Sequence, residues 1–180
     1  PAAPPTLADM PAKPKGAKWA EPATVVDRMT FRFDGGGYLP TGNQQVFVVP
    51  ADGGTPRQMT SGDYPISGSV SWMPDSQSIV FSSNRRENVE YHPRQNDLYA
   101  ASMTTGELTQ MTDHAGPEGN PAVSPNGRYL AYTSASDTRQ GYNRADLRVM
   151  DLNSSESRSL TADLDRSVSD IQWSADSKSV

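Results

Sequence analysis

The apolar residues of this chain come in short runs separated by turn residues, a pattern that predicts many short strands rather than long helices. The stretch 120–161 shows it best. A first strand, a, lies at about 120–124 and runs into the turn Ser124-Pro-Asn-Gly127; strand b follows at Arg128–Ser134. A polar insertion from Ala135 to Arg144 precedes strand c at Asp146–Met150. The turn Asn153-Ser-Ser155 then leads to strand d at Ser157–Thr161. Pro and Asp or Asn supply the dihedrals of a tight turn, and Gly follows where a positive φ is needed. Four short antiparallel strands in meander order result.

The same order recurs. Setting Trp72, Val123 and Trp173 equivalent gives spacings of 51 and 50 residues. The strand-c runs Val46-Phe-Val-Val, Leu98-Tyr-Ala-Ala and Leu147-Arg-Val-Met are spaced by 52 and 49, as are the endings Arg57-Gln-Met-Thr60, Thr109-Gln-Met-Thr112 and Arg158-Ser-Leu-Thr161. Three independent markers thus agree on a period near 50, the signature of a repeat architecture. Inner strands such as Ile79-Val-Phe81 and Tyr129-Leu-Ala-Tyr132 are apolar at consecutive positions, so both of their faces are covered. Outer strands such as Thr55–Thr60 are mostly polar and tolerate Pro56, as edge strands do. A blade stacked between two neighbours, its fourth strand at the rim, has this gradient. A sandwich of two sheets would show clean alternation in every strand and no 50-residue register.

The fold class expected is therefore all-β, a partial β-propeller of about three and a half four-stranded blades. A degenerate blade falls at 23–60, clear blades at 61–112 and 113–161, and an incomplete one at 162–180. Residues 1–22, with Pro1, Pro4, Pro5, Pro11 and Pro14, read as a linker or inter-blade loop, and Trp19 and Pro22 open the packed region. Val25–Phe33 reads as a strand, and Asp34-Gly-Gly-Gly37 as the turn after it. Closed propellers need about four to eight blades, so the expectation is a fragment of a longer protein, with an uncovered apolar face at each end of the arc.

Composition narrows function more than fold. A net charge of −5 with no cluster of Lys or Arg disfavours a nucleic-acid partner or an anionic membrane. No apolar run approaches the ~18 residues of a membrane span. The absence of cysteine excludes a disulfide framework, a thiolate metal site and a cysteine nucleophile.

Several stretches resemble a known family. Phe47-Val-Val-Pro-Ala-Asp-Gly-Gly-Thr-Pro-Arg-Gln-Met-Thr-Ser-Gly62 is similar to the propeller repeat of the prolyl oligopeptidase family. Trp72-Met-Pro-Asp-Ser76, Val123-Ser-Pro-Asn-Gly127 and Trp173-Ser-Ala-Asp-Ser177 resemble its Trp-Ser-Pro-Asp-Gly-like blade signature, which Tol-system periplasmic propellers share. Lys15-Gly-Ala-Lys-Trp-Ala20, Phe33-Asp-Gly-Gly-Gly-Tyr38 and Leu160-Thr-Ala-Asp-Leu-Asp-Arg-Ser-Val168 resemble the bacterial acylaminoacyl-peptidase-like branch. The resemblance implies a propeller of about seven blades covering an α/β-hydrolase domain that carries Ser, Asp and His. The propeller would gate and orient short peptides for that domain of the same parent chain. Tol-like resemblance implies instead a periplasmic protein-binding module with no enzyme attached. A bacterial chain of either kind is periplasmic, secreted or cytoplasmic.

No catalytic set is visible in these 180 residues. A nucleophile elbow needs Gly-x-Ser-x-Gly, and no two glycines here lie four apart. His92 and His114 sit in polar loops without a serine and carboxylate to complete a triad. Asp34–Gly37 lacks the Lys-Ser/Thr and the helix of a phosphate loop, and no acidic cluster has calcium-loop spacing, so no cofactor or metal is expected. The methionines and the matched Trp72 and Trp173 read as blade packing. Binding residues are sought in the b–c insertions, 84–96 and 136–144, which interleave charge with tyrosine and share a face with the d–a links. Arg85, Arg86, Glu87, Glu90 and Arg144 are the candidates for meeting the hydrolase domain or a substrate's charged end.

Overall fold

A computed structural model describes residues 11–18, 23–138 and 140–180. Most of the proposed linker, with Trp19 and Pro22, lies outside them. Two compact units divide the chain at Gly42. In the first, a small hairpin pairs β1 (Arg32–Phe33) with β2 (Gly37–Tyr38) around the glycine turn. The turn forms as the sequence predicts, but the strand before it is only two residues long and its surroundings are exposed.

The second unit is built of antiparallel sheets. β3 (Phe47–Val48) pairs with β4 (Arg57–Gln58). A four-stranded meander follows: β5 (Ile66–Trp72), β6 (Ser78–Ser83), β7 (Asp97–Ser102) and β8 (Leu108–Gln110). A second meander repeats it with β9 (Glu118–Val123), β10 (Tyr129–Ser134), β11 (Asp146–Asp151) and β12 (Ser157–Ser159). These are the two complete blades. The described residues contain no α-helix, only a 3₁₀ turn at Val89–Tyr91 in the insertion between β6 and β7.

The both-faced strands explain the stacking. Ile79 and Phe81 of β6, with Tyr99 and Ala101 of β7, pack against Val46 and Met59, which flank β3 and β4. Val80 and Leu98, on the opposite face, pack against Leu130, Tyr132 and Met150 of the next blade. Each fully buried large side chain contributes about 1.5–3 kcal/mol. Outward from these layers, Phe47, Val49, Val70 and Trp72 stay exposed. Met29 is exposed as well, against the packing role expected for it.

The repeat markers have mechanical reasons. The hydroxyls of Thr60, Thr112 and Thr161 accept the N–H groups of Val46, Leu98 and Leu147 at 2.9, 2.9 and 2.8 Å, closing strand d onto strand c in each repeat. Between blades, side chains and isolated backbone bonds replace the ladder. Ser71 Oγ accepts the Val123 N–H (3.0 Å), Ser82 Oγ donates to the Glu118 carbonyl (2.6 Å), and the Glu118 N–H donates to the Asn96 carbonyl (2.9 Å). Trp173 donates its indole N–H to the Ala122 carbonyl at 2.8 Å and stacks on Tyr129, so it packs between repeats; Trp72, its equivalent, is exposed.

Residues 162–180 form the signature turn, with the Ser174 N–H bonded to the Ser179 carbonyl, but no strand ladder. The rungs that pair Val123 with Leu130 and Ala122 with Ala131 in the preceding repeat would fall at Val180 and beyond.

The a–b turns share one strained position. Ser76, Gly127 and Ser177 have φ of 58°, 70° and 59°, where a Cβ is unfavourable. Ser177 uses its hydroxyl to accept the Asn126 N–H, whereas Ser76 is exposed. Ser76→Gly is therefore expected to stabilise the protein by about 0.5–1 kcal/mol, the left-handed penalty less the glycine entropy. A chemical-denaturation midpoint that stays put or falls would contradict this.

Candidate site on the insertion edge

The b–c insertions and the d–a links meet along one edge, and a charged network anchors them. Asp97 opens β7 with its side chain 1% exposed. Arg86, from the 84–96 insertion, donates through Nη2 to Asp97 Oδ2 (3.1 Å) and to Asp113 Oδ1 (2.8 Å) in the link. The His114 N–H also donates to Asp97 Oδ1, at 3.1 Å. Burial pushes the Asp97 carboxyl above its ordinary range, and the His114 N–H and Arg86 only partly offset it. Hydrogen bonding to Asp113 raises the Arg86 guanidinium further, so Arg86 supplies a lasting positive charge beside the buried carboxyl.

The other candidates are placed differently. Arg85 lies over the Tyr64 ring, 4.2 Å from guanidinium carbon to centroid, with Tyr99 at 5.9 Å. Glu87 is exposed, and Glu90 is half-buried on the 3₁₀ turn. Arg144 pairs with Asp146 (Nε–Oδ1 2.9 Å) and donates to the Leu164 carbonyl. Arg86 and Arg85 thus lie in the first blade's insertion and Arg144 in the second's, and the structure does not bring the five into one cluster. The two insertions do touch, through Arg94 and Asp137 at 3.5 Å. At their tips Tyr91 and Tyr142, 51 residues apart, are among the most exposed aromatics of the chain.

Beside them a cleft of about 490 Å³ is lined by His114, Ser134, Tyr142, Arg144, Asp146 and Arg148, among others. A larger hollow of about 1210 Å³ lies among the a–b and c–d turns, where Asn126, Asp151, Ser154 and Ser177 sit. Among the described residues no three acidic, histidine or cysteine side chains gather to hold a metal ion. Neither histidine ring is bonded to a serine hydroxyl among them. What the edge can do chemically is bind: it offers rigidly mounted charge and aromatic surface.

Sequence reasoning missed Asp97, Asp113 and Glu118. Asp97 had a visible signal, since Asp146 recurs as the first residue of strand c in the next repeat. Glu118 stands out as an exception only through the strand pairing, in which Ile66 faces Ser83 as Glu118 faces Ser134.

The profile of the family described as the dipeptidyl peptidase IV (DPP IV) N-terminal region matches residues 18–140. Dipeptidyl-peptidase 5 of Porphyromonas gingivalis is 31% identical over 115 residues, 61% of this chain and 16% of that protein. An uncharacterised peptidase of Bacillus subtilis, YuxL, is 28% identical over 119 residues, 50% of this chain and 18% of that protein. The chain thus spans less than a third of the curated relatives it matches. Among solved structures, TolB of Acinetobacter baumannii superposes with a TM-score of 0.54 at 24% identity, over 66% of this chain and 27% of that one. Dipeptidyl peptidase 4 of P. gingivalis gives 0.50 at 18% identity, over 69% and 16%. Both likenesses concern the fold. No helix among the described residues is long and apolar enough to cross a membrane. The profile match covers well over half of the sequence, and the chain belongs to the dipeptidyl peptidase IV N-terminal region family, as a propeller portion of the prolyl oligopeptidase type.

Proposed function

We propose that this chain is a non-catalytic propeller segment that gates and orients short peptides for an α/β-hydrolase domain of the same parent protein. The observation that carries the reading is the family match over residues 18–140, joined by two peptidase relatives in sequence. The proposed blades are 61–112 and 113–161, flanked by a degenerate one at 23–60 and an incomplete one at 162–180. On this reading the insertion edge faces the hydrolase domain or the substrate, through Arg85, Glu87, Glu90 and Arg144. Arg86 acts there by holding the insertion in place.

A second reading has its own support: TolB shares the fold at least as well as the peptidase structure does. That reading makes the chain a protein-binding propeller. Labelling the full-length protein with a serine-directed fluorophosphonate separates the two. The gating reading expects one adduct per chain, on a serine outside these 180 residues, and peptide hydrolysis lost with it. An unlabelled, inactive protein would leave the binding reading standing alone.

A further inference from the structure

Glu118 is the charge that the repeat does not ask for. At the start of β9 it pairs with Ser134 as Ile66 pairs with Ser83 in the preceding repeat, and its N–H bonds the Asn96 carbonyl as that of Val168 bonds the Ala145 carbonyl in the following one. The residue is 3% exposed. Its Oε1 accepts the Ser134 hydroxyl at 3.3 Å, and its Oε2 is buried with no partner. Its backbone is the bolt between the two blades, since it donates to Asn96 and accepts from Ser82 of the preceding sheet.

Burial works most strongly against an anion there, and Asp97 from β7 adds a like charge; the Thr112 and Ser134 hydroxyls and His114 in the link offset these only in part. Arg86 is committed to Asp97 and Asp113, behind them. The other hydroxyls at this seam are already spent, Ser82 on the Glu118 carbonyl and Thr133 on the Gly119 carbonyl. A buried carboxylate with one oxygen unpaired is strongly disfavoured in such a place; a neutral carboxyl is disfavoured far less.

We propose that Glu118 is a proton-operated latch: with its carboxyl neutral the seam between the two complete blades is closed, and ionisation loosens that seam and the loop edge hanging on it. The link is tied into the same edge. The Ala135 N–H donates to the Pro117 carbonyl at 3.1 Å, and the Asp137 N–H to the Ala115 carbonyl at 3.0 Å. A seam that opens at Glu118 therefore also frees the base of the 136–144 insertion. Burial pushes the Glu118 carboxyl up, which fixes the sign. The closed seam gains stability from the bound proton at pH values below the ordinary glutamate range, and loses it as pH rises through the elevated value.

Amide hydrogen exchange on the full-length protein, corrected for intrinsic rates, tests this between about pH 5 and pH 8. Protection of the seam amides of Glu118, Val123 and Ala135 is expected to fall with pH, at a rate approaching tenfold per unit over part of that range. In Glu118→Gln, and independently in Glu118→Val, the fall should vanish. Asp97 is also shifted upward and could give a fall of the same sign, so retention of the slope in both Glu118 variants would overturn the proposal. A flat wild-type profile would overturn it without any variant.

Discussion

Arg86→Met is expected to destabilise the protein by about 3 kcal/mol, toward the lower end of the range for breaking a buried ion pair. The side chain of Asp97 is 1% exposed, and removal of Arg86 leaves its carboxylate with the His114 N–H and a long Gln110 contact at 3.4 Å. Arg86 keeps 32% of its own side chain in water, which is why the upper end of the range does not apply. The loss should shrink as pH falls, because a carboxyl already raised by burial takes up a proton once its counter-charge is gone. Urea denaturation at neutral and acidic pH measures both parts. The double variant Arg86→Met, Asp97→Asn should recover part of the loss. A single variant as stable as wild type would mean that the pair carries no structural weight.

Gly116→Ala is the second large effect, at about 3–5 kcal/mol. Gly116 has a φ of 152°, and a Cβ built there would stand 1.9 Å from the Ala135 carbonyl oxygen and 3.0 Å from the Asp137 nitrogen. Both atoms are backbone, and the Ala135 and Asp137 N–H groups fasten the link to the insertion, so relief requires the link itself to move. Backbone strain and overpacking each cost about 1–3 kcal/mol, and here they add. Gly141→Ala is the matched control. Nothing lies within 4 Å of its built Cβ, and its change should stay within about 0.5 kcal/mol. Paired thermal melts of the two variants check the contrast.

The parts of the fold legible in the sequence are those that the repeat states more than once. Thr60, Thr112 and Thr161 close strand d onto strand c in every repeat, so one mechanical need wrote itself three times. Consecutive apolar residues in β6 and β10 declared two buried faces, and both are buried. The site was harder to see because its key residues occur once. Charge marks Arg86 as a surface residue until the fold swings Asp97 beneath it. Gly116 follows no turn motif, and its need is set by a carbonyl 19 residues away. Trp72 and Trp173 look alike in sequence, but only Trp173 has an aromatic neighbour, Tyr129, to lie against. Val25–Phe33 has strand-like composition, yet only Arg32 and Phe33 find ladder partners.

The seams between blades have a consequence for how such a chain can lengthen or shorten over evolutionary time. Every ladder bond of the two complete blades stays inside its own repeat, and the threonine closure does too. Across the seams run side-chain bonds, isolated backbone bonds, the Arg94–Asp137 pair between insertions, and apolar faces that neighbouring repeats reproduce. Duplication or loss of one period of about 50 residues would therefore move a finished sheet and meet a surface of the same kind on either side. At Glu118 the fit would differ, since a repeat copied into that seam would bring an isoleucine or a valine in place of the carboxyl.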